Sequence, residues 1–257
     1  MRAKRSLGQN FLHDSEVINK IVDALNLTAD ETVIEIGPGR GALTEGLIEC
    51  AGKVIAIEFD REMIALLRGR FGDQIELIED DVLDVDLASL VGRNAKLVGN
   101  LPYNISTPIL QKLIDVRYLF SMLVLMFQRE VVERITAEPG SSDRGYLTVL
   151  VEAAFDVERL FDVPPTAFRP VPKVWSSVAR LTPIASHATD HKIFRNLLSV
   201  AFAQKRKTIL NNLKTNFMDA ASLLNSAAID SSRRAETLTL DEWLRLTEIL
   251  ANEKPGI

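Results

Sequence analysis

The sequence holds one cysteine, Cys50, in 257 residues. An internal disulfide is therefore excluded, and so is a thiolate cluster for zinc; a reducing compartment fits. Histidine is also scarce, at three residues. His187 and His191 stand four apart, but Asp190 is the one acid between them, so they read as surface residues and no metal is expected. No apolar run approaches the roughly 18 to 20 residues of a membrane span. The opening Met1-Arg2-Ala3-Lys4-Arg5 is not followed by the apolar stretch of a secretory signal, so a cytoplasmic protein without membrane contact is expected. Internal repeats and low-complexity tracts are absent as well.

A basic excess is the next thing missing. The formal net charge is −5, which as a single number argues against a nucleic-acid partner. The distribution argues otherwise. From Ser186 onward ten Lys and Arg face eight Asp and Glu, whereas twenty face twenty-seven before it. Lys205, Arg206, Lys207 and Lys214 cluster in the later part, and Arg2, Lys4 and Arg5 crowd the start. Because salt limits the reach of distant charge to about 8 to 10 Å, a local basic patch can hold phosphate on an acidic protein.

What is present is a chain 47% hydrophobic and 25% charged, enough for one sizeable core and a smaller second unit. Short apolar runs alternate with helix-length amphipathic stretches from Thr32 to Phe127, the pattern of βα units around a parallel sheet. Strands are expected at Thr32–Ile36, Val54–Glu58, Ile75–Glu79, Lys96–Gly99 and Ser121–Phe127, and helices at Gly41–Cys50, Arg61–Arg70, Thr107–Val116 and Arg129–Ala137. Asp14-Ser15-Glu16 caps an earlier helix with apolar positions Val17, Ile18, Ile21, Val22 and Leu25, expected to cover one edge of the sheet. Ala153–Phe161 and Val174–Leu181 read as strands of a closing antiparallel hairpin, separated by a proline-rich stretch. Thr182 to His187 is the candidate linker, and beyond it the patterns are helical. The expected organisation is a catalytic domain over 1–185 and an all-α domain over 186–257.

The first strand runs into Gly37-Pro38-Gly39-Arg40-Gly41 and then a helix. Glycines at that place let backbone approach a ligand, and the carboxyl end of the first strand is where doubly wound sheets bind nucleotides. Glu58 ends the second strand, where an acid accepts ribose hydroxyls. Asp81 follows the third, within reach of an adenine amine. The spacing G-P-G-R-G departs from the G-x-G-x-x-G of dinucleotide binding, which disfavours a nicotinamide dehydrogenase. The ensemble resembles the Rossmann-like fold of S-adenosylmethionine-dependent methyltransferases, whose cofactor has no pyrophosphate to cradle.

Asn100-Leu101-Pro102-Tyr103 follows the fourth strand at the same edge. The exocyclic amine of adenine is a poor nucleophile because its lone pair is shared with the ring. The Asn100 side-chain oxygen and the Leu101 carbonyl can accept hydrogen bonds from it, Pro102 stiffens the turn, and Tyr103 offers a face to the base. Neither a covalent nucleophile nor a metal is required.

At these residues the sequence resembles the ribosomal RNA adenine dimethyltransferases, relatives of the erythromycin-resistance methyltransferases. Asn100–Ser106 matches their catalytic motif and Gly8-Gln9-Asn10-Phe11-Leu12 their N-terminal cofactor motif. Glu35–Gly39, Phe127-Gln128-Arg129-Glu130 and Phe168-Arg169-Pro170-Val171-Pro172-Lys173-Val174 match as well. The resemblance implies that Asn10, Leu12, Gly37, Gly39, Glu58, Asp81 and Asn100 contact S-adenosylmethionine. It also implies that Tyr103 and Phe168 sandwich the target adenine, on whose amine Asn100 and Leu101 are expected to act. Ala201 to Thr208 with Asn211-Asn212-Leu213, and Arg233 to Leu238, resemble the C-terminal motifs of the small-subunit branch. A monomer is then expected, acting on two adjacent adenines in the 3′-terminal hairpin loop of small-subunit RNA, with a part in subunit biogenesis and a partly assembled subunit as partner. The alternatives are methylation of large-subunit RNA, or an assembly factor whose catalysis is secondary. Trp175 departs from the pattern, since a small or acidic residue is expected after Pro-Lys-Val; it bears on contacts at the rim.

Overall fold

The computed structural model describes residues 9–102, 105–184 and 191–253. Two compact units emerge, one of 1–132 with 156–183 and one of 133–155 with 184–257.

The first unit is built on β2 (Thr32–Ile36), β3 (Lys53–Glu58), β4 (Glu76–Glu79), β5 (Ala95–Asn100) and β6 (Phe120–Gln128). With β7 (Phe155–Val163) and β9 (Ser176–Pro183) they form one seven-stranded sheet, in the order β4-β3-β2-β5-β6-β9-β7. The neighbours from β4 to β6 are parallel, and β9 runs antiparallel to β6. Central strands of a parallel sheet are covered on both faces, so their side chains must be apolar on both. Accordingly Val33, Ile34, Leu97, Val98, Leu123, Val124, Leu125 and Phe127 are all fully buried. Phe127 is therefore core. β9 lies between β6 and β7, which leaves β7 at the edge, where Asp156, Glu158, Arg159 and Asp162 discourage pairing with another chain.

α1 (Ser15–Ala24) starts as expected, with the Asp14 carboxylate accepting the backbone N–H groups of Glu16 and Val17 at 3.0 and 3.2 Å. Its position corrects the expectation of an edge. Val17, Ile21 and Val22 pack in one cluster with Val33, Val98 and Val124, which belong to three adjacent central strands. An amphipathic stripe needs a flat apolar surface, and a sheet offers that on its face. α2 (Ala42–Cys50), α3 (Arg61–Phe71), α4 (Leu87–Leu90) and α5 (Ser106–Asp115) follow their strands, and α6 (Arg129–Ile135) follows β6.

A single cut near 185 does not describe the second unit, which also takes 133–155. The reason is α7 (Tyr146–Glu152), where Leu147 through Val151 are buried without interruption. Such a segment has no solvent face of its own and must be enclosed by other helices. It packs on α8 (His191–Ala201); α9 (Ile209–Leu213), α10 (Ala220–Ser226) and α11 (Leu240–Glu253) complete the unit. Trp243 is fully buried with its ring 5.5 Å from that of Phe202, so it is core. Arg233 reaches both carboxylate oxygens of Glu242, at 2.5 and 3.0 Å, and donates to the Thr237 carbonyl. The first arginine of the Arg233–Leu238 motif is thus a latch within the helical unit.

Candidate active site

Asn10, Leu12, Gly37, Gly39, Glu58, Asp81, Asn100 and Leu101 line one cavity of about 270 Å³ at the carboxyl ends of β2, β3, β4 and β5. Tyr103 lies outside the described residues, as do 185–190 with His187. His13 is exposed.

The floor of the cavity is the turn after β2. Gly37 and Gly39 have φ of +66° and +56°, a region that favours glycine. A Cβ on Gly39 would stand 3.2 Å from the Phe11 ring, so the glycine also lets the N-terminal segment close over the turn. That segment is held by a ladder absent from the sequence reading. β1 (Phe11–Leu12) pairs antiparallel with β8 (Phe168–Arg169), and the His13 N–H donates to the Ala167 carbonyl at 3.0 Å. Two motifs more than 150 residues apart are thereby joined.

Glu58 is buried, and its carboxylate accepts the backbone N–H groups of Gly39 at 3.1 Å, Phe59 at 3.0 Å and Asp60 at 2.8 Å. One side chain therefore fixes the glycine turn against the end of β3. Burial pushes its pKa up, opposed by those three hydrogen bonds. Asp81 accepts from the Leu83 N–H at 2.9 Å, which sets the turn after β4.

At Asn100 the side-chain Nδ2 donates to the Asn10 carbonyl at 3.1 Å. This bond orients the amide. Among the described residues its Oδ1 accepts nothing, nor does the Leu101 carbonyl, while the Leu101 N–H is spent on the Met126 carbonyl at 3.2 Å. The Pro102 carbonyl takes the Ile105 N–H and the Ser106 hydroxyl, closing the turn into α5. The result is a pair of neutral oxygens held by a rigid frame, suited to an NH₂ group.

Phe168 is placed differently from expectation. Its ring is fully buried in a cluster with Leu12, Val163 and Ala167, and it does not line the cavity. In this structure it fastens the β1–β8 ladder to the core, so stacking on a base requires its cover to open.

Residues to which the sequence assigns no individual role also line the cavity. Phe59 is 61% exposed beside Glu58 and gives the cavity an apolar face next to that carboxylate. Gln9 donates to Asp60 at 2.7 Å, and the Arg40 guanidinium lies 4.5 Å above the Phe11 ring. Phe59 is signalled by its adjacency to Glu58, and Gln9 and Arg40 by their places inside the Gly8–Leu12 and Gly37–Gly41 segments.

Glu35 is the most deeply buried of the acids described in the cavity lining, 1% exposed, and accepts from the Thr44 hydroxyl at 2.6 Å. Burial foremost, with the Glu58 charge adding, raises its pKa to about 7. A raised folded pKa gives stability that is complete below the unfolded value near 4.5 and is lost as pH climbs through 7. Glu35→Gln, which stays neutral, should therefore lose that decline. Between pH 4.5 and 7 the unfolding free energy of wild type should fall against the variant by on the order of 3 kcal/mol. Parallel urea titrations would show it; superposed pH profiles would contradict it.

A seven-stranded sheet with β9 antiparallel to β6, a glycine turn after its first central strand, and acids at the ends of the next two define the Rossmann-like methyltransferase class of nucleoside-cofactor enzymes. The chain belongs to the ribosomal RNA adenine dimethylase family, matching it over residues 1–252, and so to enzymes that draw methyl groups from S-adenosylmethionine. Its relatives include the ribosomal RNA small subunit methyltransferase A of Geobacter sulfurreducens, 44% identical over 96% of this chain and 95% of that protein. The protein of the same name from Pseudomonas aeruginosa is 42% identical over 99% and 97%. Among solved structures, a dimethyladenosine transferase from Plasmodium falciparum superposes with a TM-score of 0.83 at 30% identity, covering 95% of this chain and 98% of that one. The 23S rRNA methyltransferase ErmE gives 0.73 at 26%, covering 94% and 100%.

The residues present fit the cofactor. The glycine turn leaves room where a Cβ would clash with Phe11, Glu58 presents acceptors for hydroxyls, and Asp81 an acceptor for an amine. S-adenosylmethionine, when bound, supplies an electrophilic methyl group.

Proposed function

We propose that this protein methylates N6 of two adjacent adenines in the 3′-terminal hairpin loop of small-subunit ribosomal RNA, giving N6,N6-dimethyladenosine. It does so as a cytoplasmic monomer without a metal, on a partly assembled small subunit whose biogenesis it serves. The observation that carries the chemistry is the Asn100 amide, tied through Nδ2 to the Asn10 carbonyl so that Oδ1 is left to the substrate. Asn10, Leu12, Gly37, Gly39, Glu58 and Asp81 hold the donor.

A target in a loop suits this design, because an unstacked base enters a pocket at small cost. The Asn100 Oδ1 and the Leu101 carbonyl accept the two N6 hydrogens, which draws electron density onto nitrogen and fixes its lone pair toward the methyl group. As N6 bonds to that carbon the methyl–sulfur bond would break, leaving a neutral thioether, and the two oxygens would stabilise the positive charge gained by nitrogen more than they stabilised the neutral amine. Neutral amide oxygens do not keep the proton, which leaves to solvent. After the first transfer one hydrogen remains on N6, so a single acceptor suffices for the second. Tyr103 supplies a stacking face for the adenine, joined by Phe168 once its ring is uncovered.

The small-subunit assignment is supported by the names of the relatives, 44% and 42% identical over nearly their whole lengths, against 26% for the large-subunit enzyme. Incubation with unmethylated ribosomes and labelled donor tests it: label belongs in the small-subunit RNA, and label in the large-subunit RNA would overturn it.

RNA binding is assigned in part to the helical unit, where Lys205, Arg206, Lys207 and Lys214 are exposed. The loop that carries the first three is built for display. Asn212, itself buried, donates to the carbonyls of Ala201 and Gln204, and Thr208 caps α9. Replacing Lys205, Arg206 and Lys207 by alanine should weaken RNA binding and reduce the magnitude of the log-affinity against log-salt slope by up to about 2 to 3. An unchanged slope would remove these residues from the interface.

A further inference from the structure

The segment between β8 and β9 carries three exposed apolar side chains in five residues: Val171 at 62%, Val174 at 41% and Trp175 at 46%. Of the two tryptophans, Trp243 is buried and Trp175 is not. Large apolar surface grouped in this way marks a contact site more often than it is idle.

Three observations locate the contact. First, Trp175 stands at the edge of the sheet that holds the cavity. Asn100 is aligned with Met126, and Met126 with Val178, so Trp175 lies three residues beyond that row at the carboxyl end of β5, on the order of 14 Å from Asn100 by strand spacing. Second, its backbone is fixed. The Trp175 carbonyl accepts the Arg129 N–H at 2.9 Å, and Ser176 is already paired with Gln128, so the ring is displayed from a rigid frame. Third, the local charge suits phosphate. Between Asp162 and Asp190 the chain has no Asp or Glu, Asp162 is itself paired with Arg159, and Arg169 before the apolar group and Lys173 within it are both exposed.

We propose that Trp175 is a stacking platform for a base of the RNA strand that flanks the target adenine, with Arg169 and Lys173 on the neighbouring phosphates. The proposal rests on the reading of this cavity as an RNA adenine site. Every base has a π face, so an indole serves a flanking nucleotide whatever its identity, and Val171 and Val174 extend the apolar ledge. Trp175 would then set how firmly the strand is held, and would leave the chemistry at N6 to Asn100.

The test measures binding of the full chain to the isolated target hairpin and methyl transfer to unmethylated subunits, with the small and the large subunit run in parallel so that an error in the subunit assignment leaves the criteria intact. Trp175→Ala should weaken RNA binding and raise KM for RNA by about 5- to 100-fold, with kcat and donor affinity kept. Trp175→Phe should restore most of the loss. Bound RNA should quench tryptophan emission in the wild type, and this quenching should vanish in Trp175→Phe, where only buried Trp243 remains. Unchanged RNA affinity in Trp175→Ala, a phenylalanine variant no better than alanine, or emission indifferent to RNA would each overturn the proposal. A defect seen with whole subunits but not with the hairpin would assign the face to a ribosomal protein and overturn it too.

Discussion

Asn100→Ala is expected to slow methyl transfer by about 10²- to 10³-fold, the range found when one preorganised polar group facing a transition-state charge is removed. The size follows from what the side chain does at each stage. In the ground state Oδ1 meets a neutral amine that water would serve nearly as well; in the transition state it faces growing positive charge inside a cavity, where no reorganisation is needed. The loss should therefore fall on kcat. Donor binding should suffer less, because what the donor site loses is the Nδ2 bond to the Asn10 carbonyl, a neutral hydrogen bond of about 1 kcal/mol and so about a fivefold change. Asn100→Asp separates the two roles, since it keeps an acceptor and forfeits the donor to Asn10. Single-turnover transfer with saturating donor, beside calorimetric donor affinity, measures both. Undiminished transfer in the alanine variant would remove Asn100 from the reaction.

Glu58→Ala is the second large effect, and it should fall on the donor. Three of the roughly four acceptor sites of this carboxylate are taken by backbone N–H groups, so a ribose hydroxyl on the remaining one is a charge-assisted contact of about 1.5 to 3 kcal/mol, and the affinity should drop by about 10- to 10²-fold. The substitution also orphans the N–H groups of Gly39, Phe59 and Asp60 that this carboxylate satisfies, loosening the glycine turn. Donor affinity by calorimetry is the direct readout, and a wild-type value would refute the role. Subunit binding measured on the same variant addresses the assembly-factor alternative: binding retained with methylation lost would favour a separable assembly role.

The βα part of the fold was legible because its signals are local. Each central strand is a short apolar run, each following helix has its own amphipathic stripe, and the ends agree to within one or two residues. The residues that line the cavity were legible for the same reason: Gly37, Gly39, Glu58, Asp81 and Asn100 stand at or beside the strand ends. What failed was long-range. Pairing of Phe11–Leu12 with Phe168–Arg169 is a contact between distant segments, and no periodicity announces a two-residue ladder. The apolar run Leu147–Val151 carries no helical stripe because α7 is enclosed, so it was passed over and the second unit was cut too short. Phe168 shows a different limit: its type suits stacking as well as it suits a core, and only burial distinguishes the two.

The most direct test of the central claim is to incubate the protein with unmethylated small subunits and S-adenosylmethionine, digest the small-subunit RNA and identify the modified nucleosides by mass spectrometry. The account predicts N6,N6-dimethyladenosine at two adjacent positions of the 3′-terminal hairpin loop; N6-monomethyladenosine as the sole product, or an unmodified loop, would contradict it.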